Sequence, residues 1–205
     1  MFRDREDAGE RLADRLQEAG IEADVVLAIP RGGLPLGRAI ADRLDAPLDV
    51  VIARKMGAPN NEELAMGAVA EDGTRWLNED LIERLGVSEA VLDRSATRAQ
   101  REATEKAASY RDGPPPTLAN KRVVLVDDGI ATGATMRACM GMARAQGAAA
   151  LIVAVPVGPH DTLSELAEET ERIVAVEQPA AFRSVGAYYE NFDQVTDEQA
   201  RSFLA

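Results

Sequence analysis

The sequence predicts an α/β fold: a mainly parallel sheet flanked by helices, with a small C-terminal hood. Three observations carry this. Residues 24–29, 48–53, 122–126, 150–155 and 172–176 are short, largely apolar runs, the pattern of strands covered on both faces. Stretches with apolar residues at helical spacing lie between them. The connections are long enough for the crossovers that parallel strands require. At 205 residues, 46% hydrophobic and 28% charged, the chain is expected to form a single domain, 1–205, with a substantial core. That core spans about 24–176, and the hood about 177–205 plus the N-terminal helix.

Residues 7–19 carry Ala8, Leu12, Leu16 and Ala19 on one helical face, and Gly20 follows as a stop. The strand at 24–29 runs into Pro30-Arg31-Gly32-Gly33, and Leu36, Ile40 and Leu44 mark a helix over 34–44. After the strand at 48–53, Met56-Gly57-Ala58-Pro59-Asn60-Asn61 is turn-rich, and Glu71-Asp72-Gly73-Thr74 reads as a tight turn between short strands. A long alanine-rich helix over 88–110 shows a thin stripe of Leu92, Ala96, Ala99, Ala103 and Tyr110, enough to lie on the core. Pro114-Pro115-Pro116 is a loop. The strand at 122–126 leads through a glycine-containing loop into a helix ending near 146, with Met136, Cys139, Met140 and Ala143 inward. Cys139 is read as a core residue. After the strand at 150–155, Thr162 and Glu165 have the spacing of a capping box for a helix following Asp161. The run at 172–176 completes the sheet.

The charge narrows the partners. A formal net charge of −12 without a visible basic patch argues against nucleic acid. No apolar run has the roughly 18 residues of a membrane span, and the N-terminus is charged from Arg3 onward, unlike a signal peptide. With one cysteine, a cytoplasmic setting is expected. Lys55, Lys106 and Lys121 are the only lysines, the other basic residues being arginine. Acidity with scarce lysine suits a protein working in concentrated salt, so the thermal midpoint is expected to rise between low and molar KCl. A flat or falling midpoint removes that explanation.

In parallel sheets ligands bind at the carboxyl ends of the strands, which directs attention to Arg31-Gly32-Gly33, Arg54-Lys55, residues 127–135 and residues 156–160. The segment 123–135, VVLVDDGIATGAT, is the most informative. Its loop opens a helix, so backbone N–H groups can converge on an anion. Gly133 and Ala134 admit a phosphate, and Thr132 and Thr135 can donate hydroxyl hydrogen bonds. Asp127 and Asp128 are suited to sugar hydroxyls, or to Mg²⁺ through water. Phosphate plus ribose is the ligand this loop points to. The loop lacks the lysine of G-x-x-x-x-G-K-[ST], and Gly32-Gly33-Leu34-Pro35-Leu36-Gly37 does not match G-x-G-x-x-G.

Residues 123–135 closely resemble the phosphoribosyl-pyrophosphate-binding motif of type I phosphoribosyltransferases, whose fold is Rossmann-like. Pro30-Arg31-Gly32-Gly33-Leu34 resembles the family's pyrophosphate loop, and Arg54-Lys55 its basic site beside the pyrophosphate. The likeness spans 24 to about 156 in the family's order. It implies that Ala131, Thr132, Gly133, Ala134 and Thr135 hold a 5′-phosphate and that Asp127 and Asp128 hold the ribose hydroxyls. It further implies that Arg31, Gly32, Gly33, Arg54 and Lys55 hold pyrophosphate with Mg²⁺, and that a segment near 55–70 closes over the site. The implied reaction is transfer of 5-phosphoribosyl to a small nitrogenous base, a purine by preference, with release of pyrophosphate, in a homodimer serving nucleotide salvage. A non-catalytic sensor of the same fold, and hydrolysis or phosphorolysis of a ribosyl phosphate, are the alternatives.

For the base pocket, Val157 and Phe182 are the candidates. Phe182, Tyr188, Tyr189, Phe192 and Phe203 cluster in a chain only 4% aromatic, and rings stack on planar bases. Residues 185–192 resemble the tail of 6-oxopurine enzymes. Ala131 stands where those enzymes commonly carry an acid, and residues 127–133 look more like the adenine enzyme. Both acceptors stay open. His160, after a strand end, is read as a surface-loop histidine.

Overall fold

The structure, a computed structural model, describes residues 1–59 and 61–205, with the side chains of residues 62 and 63 left undescribed. In chain order the elements are α1 (Arg5–Glu18), β1 (Val25–Ala28), α2 (Gly33–Leu44), β2 (Leu48–Val50), β3 (Ala53–Ala58), β4 (Asn61–Ala70), β5 (Arg75–Leu77), α3 (Glu79–Leu85), α4 (Glu89–Ala108), β6 (Arg122–Val126), α5 (Ala134–Ala145), β7 (Ala150–Val157), α6 (His160–Glu168), β8 (Arg172–Glu177) and α7 (Asp197–Ser202).

Five strands form a parallel sheet in the order β2-β1-β6-β7-β8. Alternation divides its side chains between two buried layers. Val26, Val124, Val126, Ile152 and Ala154 pack with Leu12 and Leu16 of α1 and Leu36 and Ile40 of α2. Val25, Leu27, Val123, Leu125 and Val153 pack with Met136, Cys139 and Met140 of α5. Both faces are thus covered, as the continuous apolar runs predict.

The predicted strand at 48–53 is two strands in two sheets. β2 ends at Val50, the buried Val51 and Ile52 carry the chain across, and Ala53 opens a separate antiparallel sheet in the order β3-β4-β5. An unbroken apolar run conceals this break, because both sheets bury their ends of it. The turn expected over 56–61 is largely strand: residues 56–58 belong to β3, with register shifts on either side of Gly57. Asn60, part of that expectation, lies outside the described residues. The tight turn at 71–74 is present, with the Ala70 N–H donating to the Thr74 carbonyl at 2.8 Å. α3 was not predicted; Asn78 caps it by accepting from the Leu81 N–H at 3.1 Å.

The three-stranded sheet is an arm gripped from both sides. Its inner face presents Ala68 and Ala70 to α5 and the main sheet. Its outer face presents Met56 and Val69 to Ala96 and Ala99 of α4. The alanine stripe of α4 therefore lies on the core, as its spacing predicts. At the root of the arm, Arg111 holds Asp49 and Glu71, each at 2.8–2.9 Å, and donates to the Val50 carbonyl at 2.6 Å. Burial pushes the Glu71 carboxyl up, and the Arg111 charge opposes this.

Beyond β8 the tail divides. Phe182, Val185, Tyr188, Tyr189 and Phe192 join the layer that contains Phe2, and the Phe2 N–H donates to the Tyr188 carbonyl at 2.8 Å. Phe203 and Leu204 instead pack with Ala103, Ala107 and Tyr110. The five rings expected together are therefore parted between two surfaces. Among the described residues no helix is long and apolar enough to cross a membrane.

Candidate active site

The loops leaving β1 and β6 are locked together. The Ile29 N–H donates to the Val126 carbonyl at 2.8 Å, and the Gly33 N–H to the Ile29 carbonyl at 3.0 Å. The Pro30–Arg31 peptide between them is cis. Gly32 lies so close to the acidic pair that a Cβ there would sit 2.0 Å from Asp128 Oδ2. A side chain at 32 is incompatible with this carboxylate position, which explains a glycine here on packing alone.

The two aspartates have different surroundings. Asp127 lines a cavity of about 150 Å³ together with Lys55, residues 129–136 and Val185. Asp128 turns away. Its Oδ2 accepts from Arg5 Nε at 2.7 Å, and its carbonyl accepts from the Tyr189 hydroxyl at 2.7 Å. Arg5 is itself fixed, donating to the Asp193 carbonyl at 2.7 Å and lying 3.9 Å over the Phe192 ring. Burial raises the Asp127 carboxyl well above the usual range and the Asp128 charge adds to this; the Asp128 N–H bond at 2.8 Å and Lys55 pull the other way. Burial also raises Asp128, opposed chiefly by Arg5. Sequence reasoning missed Arg5. It sits in a charged N-terminal run with no local signal, 123 residues from its partner.

Residues 131–135 turn into α5 through Gly133, whose φ of +76° is the left-handed conformation that glycine accepts without cost. The first turn of α5 contains no acidic residue and receives no side-chain cap. Its leading N–H groups are available to an anion. The loop is pinned from behind. The Thr162 hydroxyl donates to the Ala131 carbonyl at 3.2 Å, and Arg137 Nη1 to the Thr132 carbonyl at 3.3 Å. The capping box expected of Thr162 and Glu165 is not formed, because α6 already begins at His160 with Pro159 before it. Both residues serve the loop instead, Glu165 by pairing with Arg137 at 3.0 Å.

Lys55 and Arg54 part company. Lys55 pairs across β3 and β4 with Ala68 on the inner face and lines the cavity. Arg54 pairs with Val69, on the face that meets α4. Adjacent strand residues point to opposite faces, so only one of the two can face the loop. Arg31 reaches toward Asp197 of α7, at 3.8 Å; that carboxylate also takes Lys106 at 2.5 Å and the Tyr110 hydroxyl at 2.9 Å. Val157 is fully buried, its carbonyl accepting from the Ile130 N–H at 2.9 Å. Phe182 stacks on Tyr188 with centroids 5.7 Å apart. Neither lines the cavity, whereas Val185 does. His160 is exposed, though it opens α6 and does not lie in a loop, and Cys139 is fully buried with its thiol pushed well up by burial, as a core residue should be.

The sequence profile of the phosphoribosyl transferase domain matches residues 3–187. The chain belongs to this family. The parallel sheet flanked by helices is the phosphoribosyl transferase fold. A Mycobacterium tuberculosis protein provisionally named a phosphoribosyl transferase, Rv0571c, is 42% identical over all 205 residues of this chain and 46% of its own length. The chain spans about half the length of the curated relatives it matches. The crystal structure of TT1426 from Thermus thermophilus is 40% identical, with a TM-score of 0.85 over 100% of this chain and 97% of that one. A Neisseria gonorrhoeae protein solved with ppGpp bound shares the fold at 14% identity, with a TM-score of 0.50 over the same shares. Asp127, the 131–135 loop and Lys55 converge on one cavity, which the loop following β6 lines.

Proposed function

We propose that this phosphoribosyl transferase domain transfers 5-phosphoribosyl from phosphoribosyl pyrophosphate to a nitrogenous base, a purine by preference, and releases pyrophosphate. One observation supports this above the rest: Asp127, Lys55 and the 131–135 loop share one cavity. In this reading the loop takes the 5′-phosphate through N–H and hydroxyl groups. Asp127 accepts from a ribose hydroxyl, and Asp128, held by Arg5, orients its neighbour. The 31–33 backbone and Lys55 face the departing pyrophosphate. Val185 is added to the base-pocket candidates Val157 and Phe182, and Arg54, on the α4 face, leaves the pyrophosphate set. Homodimer formation and a role in salvage rest on the family resemblance alone, and a cytoplasmic setting on the composition, with its single cysteine.

The described residues contain no group of three His, Cys, Asp or Glu that could hold a metal unaided. One carboxylate at the cavity would fit an ion held jointly with substrate phosphates and water. Asp127 is the protein ligand we assign to Mg²⁺, which when bound neutralises charge on the leaving group. The chain's own part is electrostatic. Displacement at an anomeric carbon passes through a cationic state, so the site must stabilise departing negative charge and exclude water. Lys55 on the arm serves the first need, and the arm itself, packed between α4 and the core beside the cavity, the second.

A sensor of a phosphorylated ribosyl ligand is the second reading, favoured by Arg31, which faces Asp197 and not the cavity. Incubation with phosphoribosyl pyrophosphate, Mg²⁺ and a panel of bases separates the readings. Base-dependent pyrophosphate release is the expected result. Base-independent release indicates hydrolysis, and binding without release indicates the sensor.

A further inference from the structure

The arm and the phosphate loop touch at a point that the roles above leave unused. Lys55 pairs with Ala68, and Ala68 pairs with Trp76. Paired residues of antiparallel strands project to the same face, so Lys55, Ala68 and Trp76 form one rung across the inner face of the arm. Lys55 reaches the cavity from one end of the rung. At the other end the Trp76 ring lies 5.2 Å from the Arg137 guanidinium carbon. The middle of the rung, Ala68, is fully buried against the core and leaves little room for slack.

Arg137 is built into this junction. Its side chain is only 7% exposed. Nε pairs with Glu169 at 2.8 Å, Nη2 with Glu165 at 3.0 Å, and Nη1 donates to the Thr132 carbonyl at 3.3 Å. Only a planar fork can satisfy three partners in these directions while offering its face to a ring. The Thr132 carbonyl belongs to the loop whose N–H groups lie on the anion side. A peptide reoriented by an anion moves its carbonyl too, because the peptide unit is planar. The chain of contact therefore runs from Thr132 through Arg137 and Trp76 to the rung that carries Lys55.

We propose that Arg137 and Trp76 are positioning residues that hold the Lys55 arm in register with the occupied phosphate loop. This inference rests on the 5′-phosphate reading of residues 131–135 and adds the coupling. Trp76 is the only tryptophan, so its emission reports on the junction directly.

The test uses the whole chain, with ribose 5-phosphate and phosphoribosyl pyrophosphate as probes. In the wild type, saturation with ribose 5-phosphate, followed by calorimetry, changes Trp76 emission with the same midpoint. Arg137→Lys, which keeps the charge but loses the fork, is expected to abolish that change. Trp76→Ala is expected to leave ribose 5-phosphate affinity within about twofold and to reduce the preference for the diphosphate by at least about fivefold, the low end of measured site couplings. Lys55→Ala should reduce the same preference. A merely structural role lowers both affinities together or neither. Ribose 5-phosphate binding without an emission change, or an unchanged preference in Trp76→Ala, overturns the coupling and leaves the phosphate site standing. Absence of ribose 5-phosphate binding overturns the site itself and the coupling with it.

Discussion

Lys55→Ala lowers turnover at least about tenfold, and by about 10²–10³ if Lys55 faces the departing charge as a single dedicated donor does. Its place on β3 puts it on the inner face of the arm and in one cavity with Asp127. The effect should fall on the chemical step, because the charge it meets grows as pyrophosphate leaves. Lys55→Met, which keeps the stem and removes the charge, should match the alanine variant. Its ribose 5-phosphate affinity should be unchanged, since that ligand lacks the diphosphate. Steady-state rates with each variant decide the matter, and near-normal turnover in either removes Lys55 from the mechanism.

Asp127→Asn is expected to make the unliganded protein more stable and far less active. Asp127 is buried beside a second carboxylate, and both influences raise its proton affinity in the folded state. A folded-state value above the ordinary 3.8 means that the folded protein binds more protons than the unfolded chain between those two values. Stability then falls as pH rises through that window, and the loss persists at neutral pH. Asparagine removes the charge, and its side-chain oxygen can still accept the Asp128 N–H bond. The midpoint should rise by about 2–4 °C for each kcal/mol of relief in a chain of this size. Part of the stability gain that the wild type shows on mild acidification should vanish in the variant. Without a carboxylate for the ribose hydroxyl, kcat/KM should drop by about 10². Calorimetric melting at pH 5 and 7.5, with initial rates, gives both readouts; a lowered midpoint at pH 7.5 contradicts the assignment.

Much of the fold was legible because the main sheet is buried on both faces. Runs such as 122–126 and 150–155 show that directly, and the 127–135 loop announces its chemistry in contiguous residues. What stayed hidden depends on three-dimensional closure. Arg5 reaches Asp128 from the far end of the chain, and Arg137 looks like any helical arginine until α6 packs beside it. Val51 and Ile52 conceal the passage between two sheets because both are buried wherever the chain turns. Arg54 and Lys55 read as a pair in sequence, yet strand alternation sends them to opposite faces. The division of the aromatic tail is of the same kind. Composition placed the rings in one segment, and packing sent Phe203 to α4 while Phe192 went under Arg5.

The order of the main sheet also governs how the molecule is made. β1 lies between β2 and β6, and Asp24 and Arg122, hydrogen-bonded at the entry to β1 and β6, are 98 residues apart in the chain. β2 follows β1 closely, but the other flank of β1 stays unpaired until the arm and α4 have been synthesised and β6 has emerged. Such long-range pairing slows folding and leaves an apolar strand edge open to other nascent chains. The loops after β1 and β6 that build the cavity come together in that same late step. A chain interrupted before residue 126 would therefore carry half a site and an unprotected edge, and binding competence is acquired at the end of folding.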